Sequence, residues 1–254
     1  MVPNESATPT ELSRGPVSLQ SFAEQVVNST REYIYIRPED GLMIIRPSRL
    51  HHLNPMATQM LQSLYNRPGG PDVEGLVSEI SELHGADRER VRTDLTTLLQ
   101  ALVSVLDDRI MDVPGVKVTA FGSHKRTLPV LSEIALTYRC NNRCTFCYAN
   151  APNRGDAVPE MSTEEVQAII GRIADEAHCP TLSFTGGEPT LREDLVELVR
   201  YGAQKGLRVN LITNGVRCGN AAYVQALADA GLDSAQVSIE GGSALIHDAI
   251  TQHP

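Results

Sequence analysis

The sequence contains no tryptophan, and aromatic residues make up only 4% of its 254 residues. Its core must therefore be built mainly from aliphatic side chains, which the 41% hydrophobic content supplies. No apolar run approaches the roughly 20 residues that cross a bilayer, and the N-terminus lacks a basic segment followed by an apolar one. The sequence predicts a globular chain with no membrane partner and no secretion signal.

Positive charge is also scarce, because 22 Lys and Arg face 31 Asp and Glu and leave a formal net charge of −9. Proteins that bind nucleic acid neutralise phosphates with a basic surface, so a general nucleic-acid partner is disfavoured. The five cysteines are an odd number and three are clustered, unlike the paired cysteines of a secreted disulfide framework. The composition predicts a cytoplasmic protein with reduced thiols.

The first part of the chain predicts a small α+β domain. Residues 1–30 are rich in Pro, Ser and Thr with little periodicity, which predicts a flexible N-terminal arm. Three strand-like runs and three amphipathic helices follow; the first helix begins at Asn54-Pro55 and Gly85 ends the second. Strands first and helices after predict a winged-helix-like domain over 31–113. Residues 114–130, which carry Pro and Gly, are predicted to be a linker.

After residue 130 the pattern changes to apolar strand-like runs that alternate with helical stretches. Two of the helices are predicted to begin with a capping box, Ser162 with Glu165 and Thr190 with Glu193. Alternating strands and helices predict βαβ units and a parallel sheet, and hence an α/β fold. Because four strands make an open sheet, residues 131–254 are expected to be a partial (β/α) barrel that is incomplete at its C-terminus.

Three of the cysteines, Cys140, Cys144 and Cys147, stand at C-x3-C-x2-C spacing directly after the first of these strands. Ligands gather at the carboxyl ends of parallel strands, and three thiolates on one loop can converge on a metal centre. A structural zinc site takes four protein ligands, and no fourth is evident nearby. An iron–sulfur cluster normally takes one cysteine per iron, so three would leave one iron of a four-iron cluster open. A dithiol pair or half a zinc site remain as alternatives.

A second motif, Gly186, Gly187 and Glu188, follows the next strand and is therefore expected at the same edge of the sheet. Glycines let a backbone approach a ligand closely, and Glu188 adds a carboxylate beside that approach. Such glycine pairs also occur in ordinary tight loops. The position beside the cysteine loop favours the functional interpretation.

The two motifs together, with Phe146 before the last cysteine, resemble the radical S-adenosylmethionine superfamily. The resemblance implies that Cys140, Cys144 and Cys147 bind a 4Fe-4S cluster whose open iron is chelated by S-adenosyl-L-methionine. It also implies that the Gly186–Glu188 segment contacts the amino group of this cofactor and that Phe146 lies against its adenine.

Two further segments, "ITNG" and "VSIEG", look like parts of the same family. They imply that Asn214 and Ser238 contact the methionine or ribose part of the cofactor, and Glu240 stands where many relatives have Asp. By resemblance, a reduced cluster passes one electron to the sulfonium, and a 5′-deoxyadenosyl radical then abstracts a substrate hydrogen. A low-potential electron donor such as flavodoxin or ferredoxin is implied as a partner.

Residues 31–113 are similar to the chaperone-like PqqD domain of pyrroloquinoline quinone (PQQ) biosynthesis, which binds the leader segment of a precursor peptide, usually as an added strand. A DNA-binding winged helix is the alternative, but nine Arg against thirteen Asp and Glu give this segment a net charge of −4. The resemblance implies modification of a ribosomally made peptide. Radical modification of a small molecule or tetrapyrrole, and a truncated, non-catalytic peptide-binding module, stay open.

Overall fold

The computed structural model describes residues 18–45, 49–106, 116–117, 128–154 and 157–252. The chain divides into two compact units between residues 127 and 128. Each unit contains its own four-stranded sheet and its own buried core. In the described ranges no helix is long and apolar enough to cross a membrane.

The first unit begins with a helix, α1 (Leu19–Thr30), where the sequence predicts a flexible arm. Ser18 caps this helix by accepting a hydrogen bond from Ser21 N at 3.2 Å. The buried positions are spaced three and four residues apart and share one face: Ala23, Val26, Val27 and Thr30. The predicted arm is therefore wrong for these residues, because Ser, Gln and Glu at the exposed positions obscure the apolar face. The rest of the arm, 1–17, lies outside the described residues.

The first sheet is antiparallel, and its first three strands lie where they are predicted. They are β1 (Ile34–Arg37), β2 (Leu42–Ile45) and β3 (Arg49–Leu53). A fourth strand, β4 (Val116–Lys117), pairs with β3. The prediction of a plain linker over 114–130 is wrong at these two residues, because their backbone completes the sheet; 118–127 lie outside the described residues.

Three helices complete the first unit: α2 (Pro55–Asn66), α3 (Val73–His84) and α4 (Arg88–Leu106). Asn54 caps α2 by accepting a hydrogen bond from Ala57 N at 2.8 Å, and Gly85 ends α3 in the left-handed conformation, with φ at 62°. Both helix ends are confirmed. The core is aliphatic, and its most deeply buried side chains include Leu61, Leu64, Leu76, Ile80, Leu95 and Leu99.

The second unit is built on a parallel sheet, which confirms the predicted α/β fold. Its strands are, in spatial order, β5 (Ser132–Thr137), β6 (Thr181–Gly186), β7 (Arg208–Thr213) and β8 (Leu232–Val237). Its helices are α5 (Ala151–Arg154), α6 (Thr163–Asp175), α7 (Leu195–Gln204), α8 (Ala221–Asp229) and α9 (Ala244–Thr251). Because neighbouring strands are parallel, their carboxyl ends meet at one edge.

One of the two predicted capping boxes forms. At the start of α6, Ser162 Oγ accepts from Glu165 N at 3.2 Å and Glu165 accepts from Ser162 N at 2.8 Å. The predicted box of Thr190 with Glu193 is wrong, since Thr190 is buried in a short 3-10 turn and α7 begins only at Leu195. The turn intervenes because the Thr190 hydroxyl donates to Glu188 instead of capping a helix.

A buried arginine ties this turn to the sheet. Arg192 is only 6% exposed and donates to both carboxylate oxygens of Asp194, at 2.8 and 2.5 Å. It also donates to the carbonyl oxygens of Leu136 and Met161, at 3.2 and 2.7 Å. The hydrogen bonds from Arg192 lower the pKa of Asp194 below its ordinary value.

We expect Asp194→Asn to lower the free energy of unfolding by roughly 2 to 3 kcal/mol at pH 7, because it leaves Arg192 buried without its charge partner. Since the pKa of Asp194 is depressed in the folded state, its stabilisation is present above the unfolded pKa of about 4. It is lost as the pH falls through the folded value. Urea unfolding should therefore show the wild-type and Asp194→Asn stabilities converging in acid.

The control for this prediction is Asp175→Asn, which removes an exposed ion pair with Lys205. We expect that change to alter stability by less than about 1 kcal/mol. Wild-type and Asp194→Asn stabilities that differ by the same amount from neutral pH to strong acid would contradict the assignment.

Candidate metal and cofactor site

Residues from all four strand ends of the second unit surround one cavity of about 120 Å³. The predicted site residues that line it are Cys140, Cys144, Phe146, Cys147, Gly186, Gly187, Asn214 and Ser238. Glu188 is the one predicted site residue outside this lining. Three further lining residues are Asn142, Glu240 and Thr251. Asn142 and Thr251 escape prediction because neither belongs to a spacing pattern with a recognisable chemical role.

The three clustered cysteines are free thiols of intermediate burial around this cavity. Within the described parts of the chain, no three His, Cys, Asp or Glu side chains form a group that could hold a metal ion. A structural zinc site takes four protein ligands, whereas a four-iron cluster with one open iron takes three cysteines. Three cysteine thiols match the donor set of such a cluster.

The cysteine thiols lie in an environment that favours their neutral form. Burial raises the pKa of the Cys140 thiol, and the negative charge of Glu188 adds to this effect. Burial also raises the pKa of the Cys144 thiol, and there the negative charge of Cys147 adds to the effect. In the opposite direction, Asn142 N donates a hydrogen bond to Cys140 Sγ at 3.4 Å. Because metal ligands must be thiolates, loading the site would release protons.

Gly186 and Gly187 are required by the close approach of two segments of the chain. Gly187 N donates to Thr137 O at 2.8 Å. A β-carbon on Gly186, where φ is 132°, would overlap the carbonyl oxygen of Thr137, and one on Gly187 would overlap that of Arg139. The two glycines thus bring the end of β6 against the backbone that leads directly to Cys140. The sequence predicts that the backbone at these glycines approaches a ligand closely. In the structure it approaches another backbone segment of the same protein.

The middle of the cysteine loop is held by the last helix. Arg143 N and Thr145 N donate to the carbonyl oxygens of Thr251 and Ile250, at 2.9 and 3.1 Å. These carbonyls belong to the C-terminal turn of α9, whose oxygens have no partner within the helix. No sequence pattern marks this contact, because only backbone atoms form it.

The Glu188 side chain is fully buried and binds its own chain. Its Oε1 accepts hydrogen bonds from Thr190 N at 3.0 Å, from Thr190 Oγ1 at 2.5 Å and from Thr213 Oγ1 at 2.7 Å. Its Oε2 accepts from Asn214 N at 2.7 Å. The carboxylate therefore joins the loop after β6 to the loop after β7. Contact between this side chain and a cofactor stays a prediction.

Asn214 in turn joins the loop after β7 to the cysteine loop, because its Nδ2 donates to Asn141 Oδ1 at 2.7 Å. Ser238 follows β8, and its backbone N donates to Thr213 O at 3.0 Å. Phe146 is 56% exposed and lines the cavity. The hydrogen bonds connect the ends of all four strands, so the cavity wall is pre-organised.

Two family models match the sequence, one for each unit. Residues 134–254 match the radical SAM superfamily, where SAM denotes S-adenosylmethionine. Residues 34–105 match the family described as coenzyme PQQ synthesis protein D, or PqqD. The radical SAM match begins within β5. The PqqD match begins with β1 and ends one residue before the end of α4.

Curated relatives match a little less than half of the sequence. The chain is 40% identical over 124 residues to PqqA peptide cyclase of Rhodopseudomonas palustris, covering 48% of this chain and 32% of that protein. It is 38% identical over 121 residues to 7,8-dihydro-6-hydroxymethylpterin dimethyltransferase of Methanocaldococcus jannaschii, covering 47% and 24%. It is 40% identical over 106 residues to Fe-coproporphyrin III synthase of Methanosarcina barkeri, covering 42% and 26%. The chain matches about a third or less of the length of each.

A solved structure resembles both units. SuiB of Streptococcus suis, bound to S-adenosylmethionine, superposes with a TM-score of 0.55 at 13% identity, covering 87% of this chain and 49% of SuiB. SuiB bound to the precursor peptide SuiA gives a TM-score of 0.54 at 15% identity, covering 86% and 49%. At these identities the likeness establishes the fold.

Proposed function

We propose that the chain modifies a ribosomally made precursor peptide by radical SAM chemistry, because residues 134–254 match the radical SAM superfamily and residues 34–105 match PqqD. One observation carries the proposal: three cysteines and the Gly186-Gly187 loop line a single cavity at the carboxyl edge of a parallel sheet. Neither a dithiol pair nor a zinc site accounts for the third cysteine and the adjoining glycine loop together.

Cys140, Cys144 and Cys147 would hold a 4Fe-4S cluster through three of its irons. When bound, the cluster supplies the single electron that cleaves S-adenosylmethionine reductively to a 5′-deoxyadenosyl radical. Phe146 would offer its exposed ring to the adenine, and the partly buried backbone at Gly186 and Gly187 would accept a hydrogen bond from the amino group. Because the cavity is partly walled by side chains, it would also limit the access of water to a reactive species.

Asn214 and Ser238 would contact the methionine or ribose part of the cofactor, since both line the same cavity. The electrostatics of the wall suit a ligand with positive sulfonium and ammonium groups. Glu240 lines the cavity, and the Glu188 carboxylate is buried close enough to Cys140 to influence its thiol. Opposite charges at short range attract more strongly in a site of low dielectric constant than in water.

The first unit supports a peptide as the substrate. Among its described strands, β1 and β4 lie at the edges of the antiparallel sheet, and an edge strand can pair with an extended peptide. The match to PqqD and the likeness of the chain to a PqqA peptide cyclase favour the same partner. We therefore propose that the leader segment of a precursor peptide binds to this sheet and that flavodoxin or ferredoxin donates the electron.

A second candidate function is the modification of a small molecule or tetrapyrrole. The similarity to Fe-coproporphyrin III synthase and to a pterin dimethyltransferase favours it. Removal of residues 1–127, the whole first unit, distinguishes the two, since a peptide modifier should lose turnover of its peptide while a small-molecule enzyme should keep its activity. Peptide binding without cleavage of S-adenosylmethionine would instead indicate a non-catalytic module.

Anaerobic reconstitution with iron and sulfide, followed by EPR spectroscopy of the reduced protein, tests the proposed function. We expect about four irons per chain and a cluster signal that changes when S-adenosylmethionine is added. Cys140→Ala should lose this signal, whereas Cys218→Ala should keep it, because Cys218 lies outside the cavity lining. A wild-type protein that binds no more iron than Cys140→Ala would overturn the proposal.

A further inference from the structure

Asn142 lies between the first two cysteines of the loop and lines the cavity, yet it is only 4% exposed. Its side-chain oxygen, Oδ1, is buried and accepts no hydrogen bond from any residue that the structure describes. Buried amide oxygens nearly always have a donor, and the loss of water from an unpaired one is unfavourable. This oxygen therefore indicates a donor that reaches the cavity from outside the chain.

Two other groups of Asn142 are close to the thiols. Its backbone N donates to Cys140 Sγ at 3.4 Å, and its side chain lies within hydrogen-bonding reach of Cys144. The side-chain nitrogen is the donor end of this side chain and can serve the Cys144 thiol, which leaves the oxygen for a different neighbour. Hydrogen bonds to cysteine sulfurs are among the factors that set the reduction potential of an iron–sulfur cluster.

Three donors of the cysteine loop and the loop after β7 are engaged elsewhere. The next backbone amide, that of Arg143, donates to Thr251 O, and that of Thr145 donates to Ile250 O. The side-chain nitrogen of Asn214, Nδ2, donates to Asn141 Oδ1. These bonds hold the loop around Asn142 in place but supply no donor to its oxygen. A ligand in the cavity could supply that donor without any rearrangement of the loop.

We propose that Asn142 is a cofactor-positioning residue: its Oδ1 accepts a hydrogen bond from an N–H or O–H group of S-adenosylmethionine, while its amide nitrogen orients the Cys144 thiolate. The inference rests on the proposed function, because it requires that S-adenosylmethionine enters this cavity. It assigns two tasks to the two ends of one side chain, and the two ends can be altered separately.

Two variants of the full chain separate these tasks after anaerobic reconstitution. Asn142→Leu removes both the acceptor and the donor at similar volume, and Asn142→Asp keeps an acceptor but removes the donor. We expect Asn142→Leu to weaken the binding of S-adenosylmethionine about tenfold in equilibrium dialysis. In an EPR-monitored redox titration, both variants should lower the midpoint potential of the cluster, because the reduced state loses a hydrogen bond. Asn142→Asp should retain the binding of S-adenosylmethionine.

Asn153→Leu is the matched control, because Asn153 is an exposed asparagine that hydrogen-bonds only locally, to Asn150. It should leave affinity and potential unchanged. Wild-type affinity and potential in Asn142→Leu would overturn the inference, and if that variant fails to load a cluster, an unchanged potential in Asn142→Asp would do so. A wild-type protein that loads no cluster would instead refute the proposed function.

Discussion

Glu188→Ala is expected to lower the free energy of unfolding of the second unit by about 3 to 5 kcal/mol. The change removes the acceptor of four hydrogen bonds and leaves the donors on Thr190, Thr213 and Asn214 without partners. These groups are buried or partly buried, so water does not readily replace the carboxylate. The loss also releases the link between the loops after β6 and β7. We therefore expect Asn214 to leave its place at the cavity.

Hydrogen–deuterium exchange of the full chain, followed by mass spectrometry, locates this effect in the molecule. Peptides from β6 and β7 should lose protection in Glu188→Ala, whereas those from the first unit should not change. Glu188→Gln should have a smaller effect, about 2 kcal/mol, because one amide oxygen remains to accept from Thr190 and Thr213. Glu193→Ala is the control, since Glu193 is exposed, and it should change stability by less than about 0.5 kcal/mol. Equal protection in Glu188→Ala and Glu193→Ala would show that the buried carboxylate contributes little.

The second large effect is expected from Gly187→Ala, which should lower the free energy of unfolding by about 2 to 4 kcal/mol. The new methyl group would overlap Arg139 O and lie 2.7 Å from Tyr138 O. Both oxygens are backbone atoms of the segment that leads to Cys140, so relief requires the two segments to separate. We expect this separation to displace the cysteine loop and reduce iron loading as well as stability.

Gly242→Ala provides the comparison for this prediction, because no atom lies within 4 Å of a β-carbon at Gly242. Urea unfolding and iron content after reconstitution should both remain close to wild type in this control. If Gly187→Ala unfolds at the same urea concentration as Gly242→Ala, the packing of β6 against the cysteine segment is not the reason for glycine at this position.

Much of the fold follows from patterns of local origin. The helix that begins at Asn54-Pro55 and the one that ends at Gly85 are predictable because capping chemistry acts over a few residues. Helix α1 was missed because its apolar face consists of small residues such as Ala23 among polar ones. The capping box at Thr190 fails because a buried carboxylate, brought close by the tertiary fold, binds the hydroxyl first.

In the candidate site, too, some features follow from local sequence patterns and others depend on the tertiary fold. The cysteine spacing and the glycine pair identify a common edge of the sheet, because the carboxyl ends of parallel strands converge. The orphaned oxygen of Asn142 has no sequence signature, since asparagine in a loop is ordinary and its burial depends on the packed structure. The side-chain partners of Glu188 are likewise unpredictable, because Thr213 and Asn214 lie on a different strand and its following loop.

The contact between the cysteine loop and α9 has a consequence for the order of biosynthesis. Arg143 and Thr145 leave the ribosome about 100 residues before Thr251 and Ile250, whose carbonyls hold them in place. At roughly 5 to 20 residues per second, the thiols spend about 5 to 20 seconds without this clamp during translation. The cysteine loop therefore reaches its closed form late in synthesis, and oxygen or stray metal ions that reach the nascent chain encounter the cysteines in an open segment.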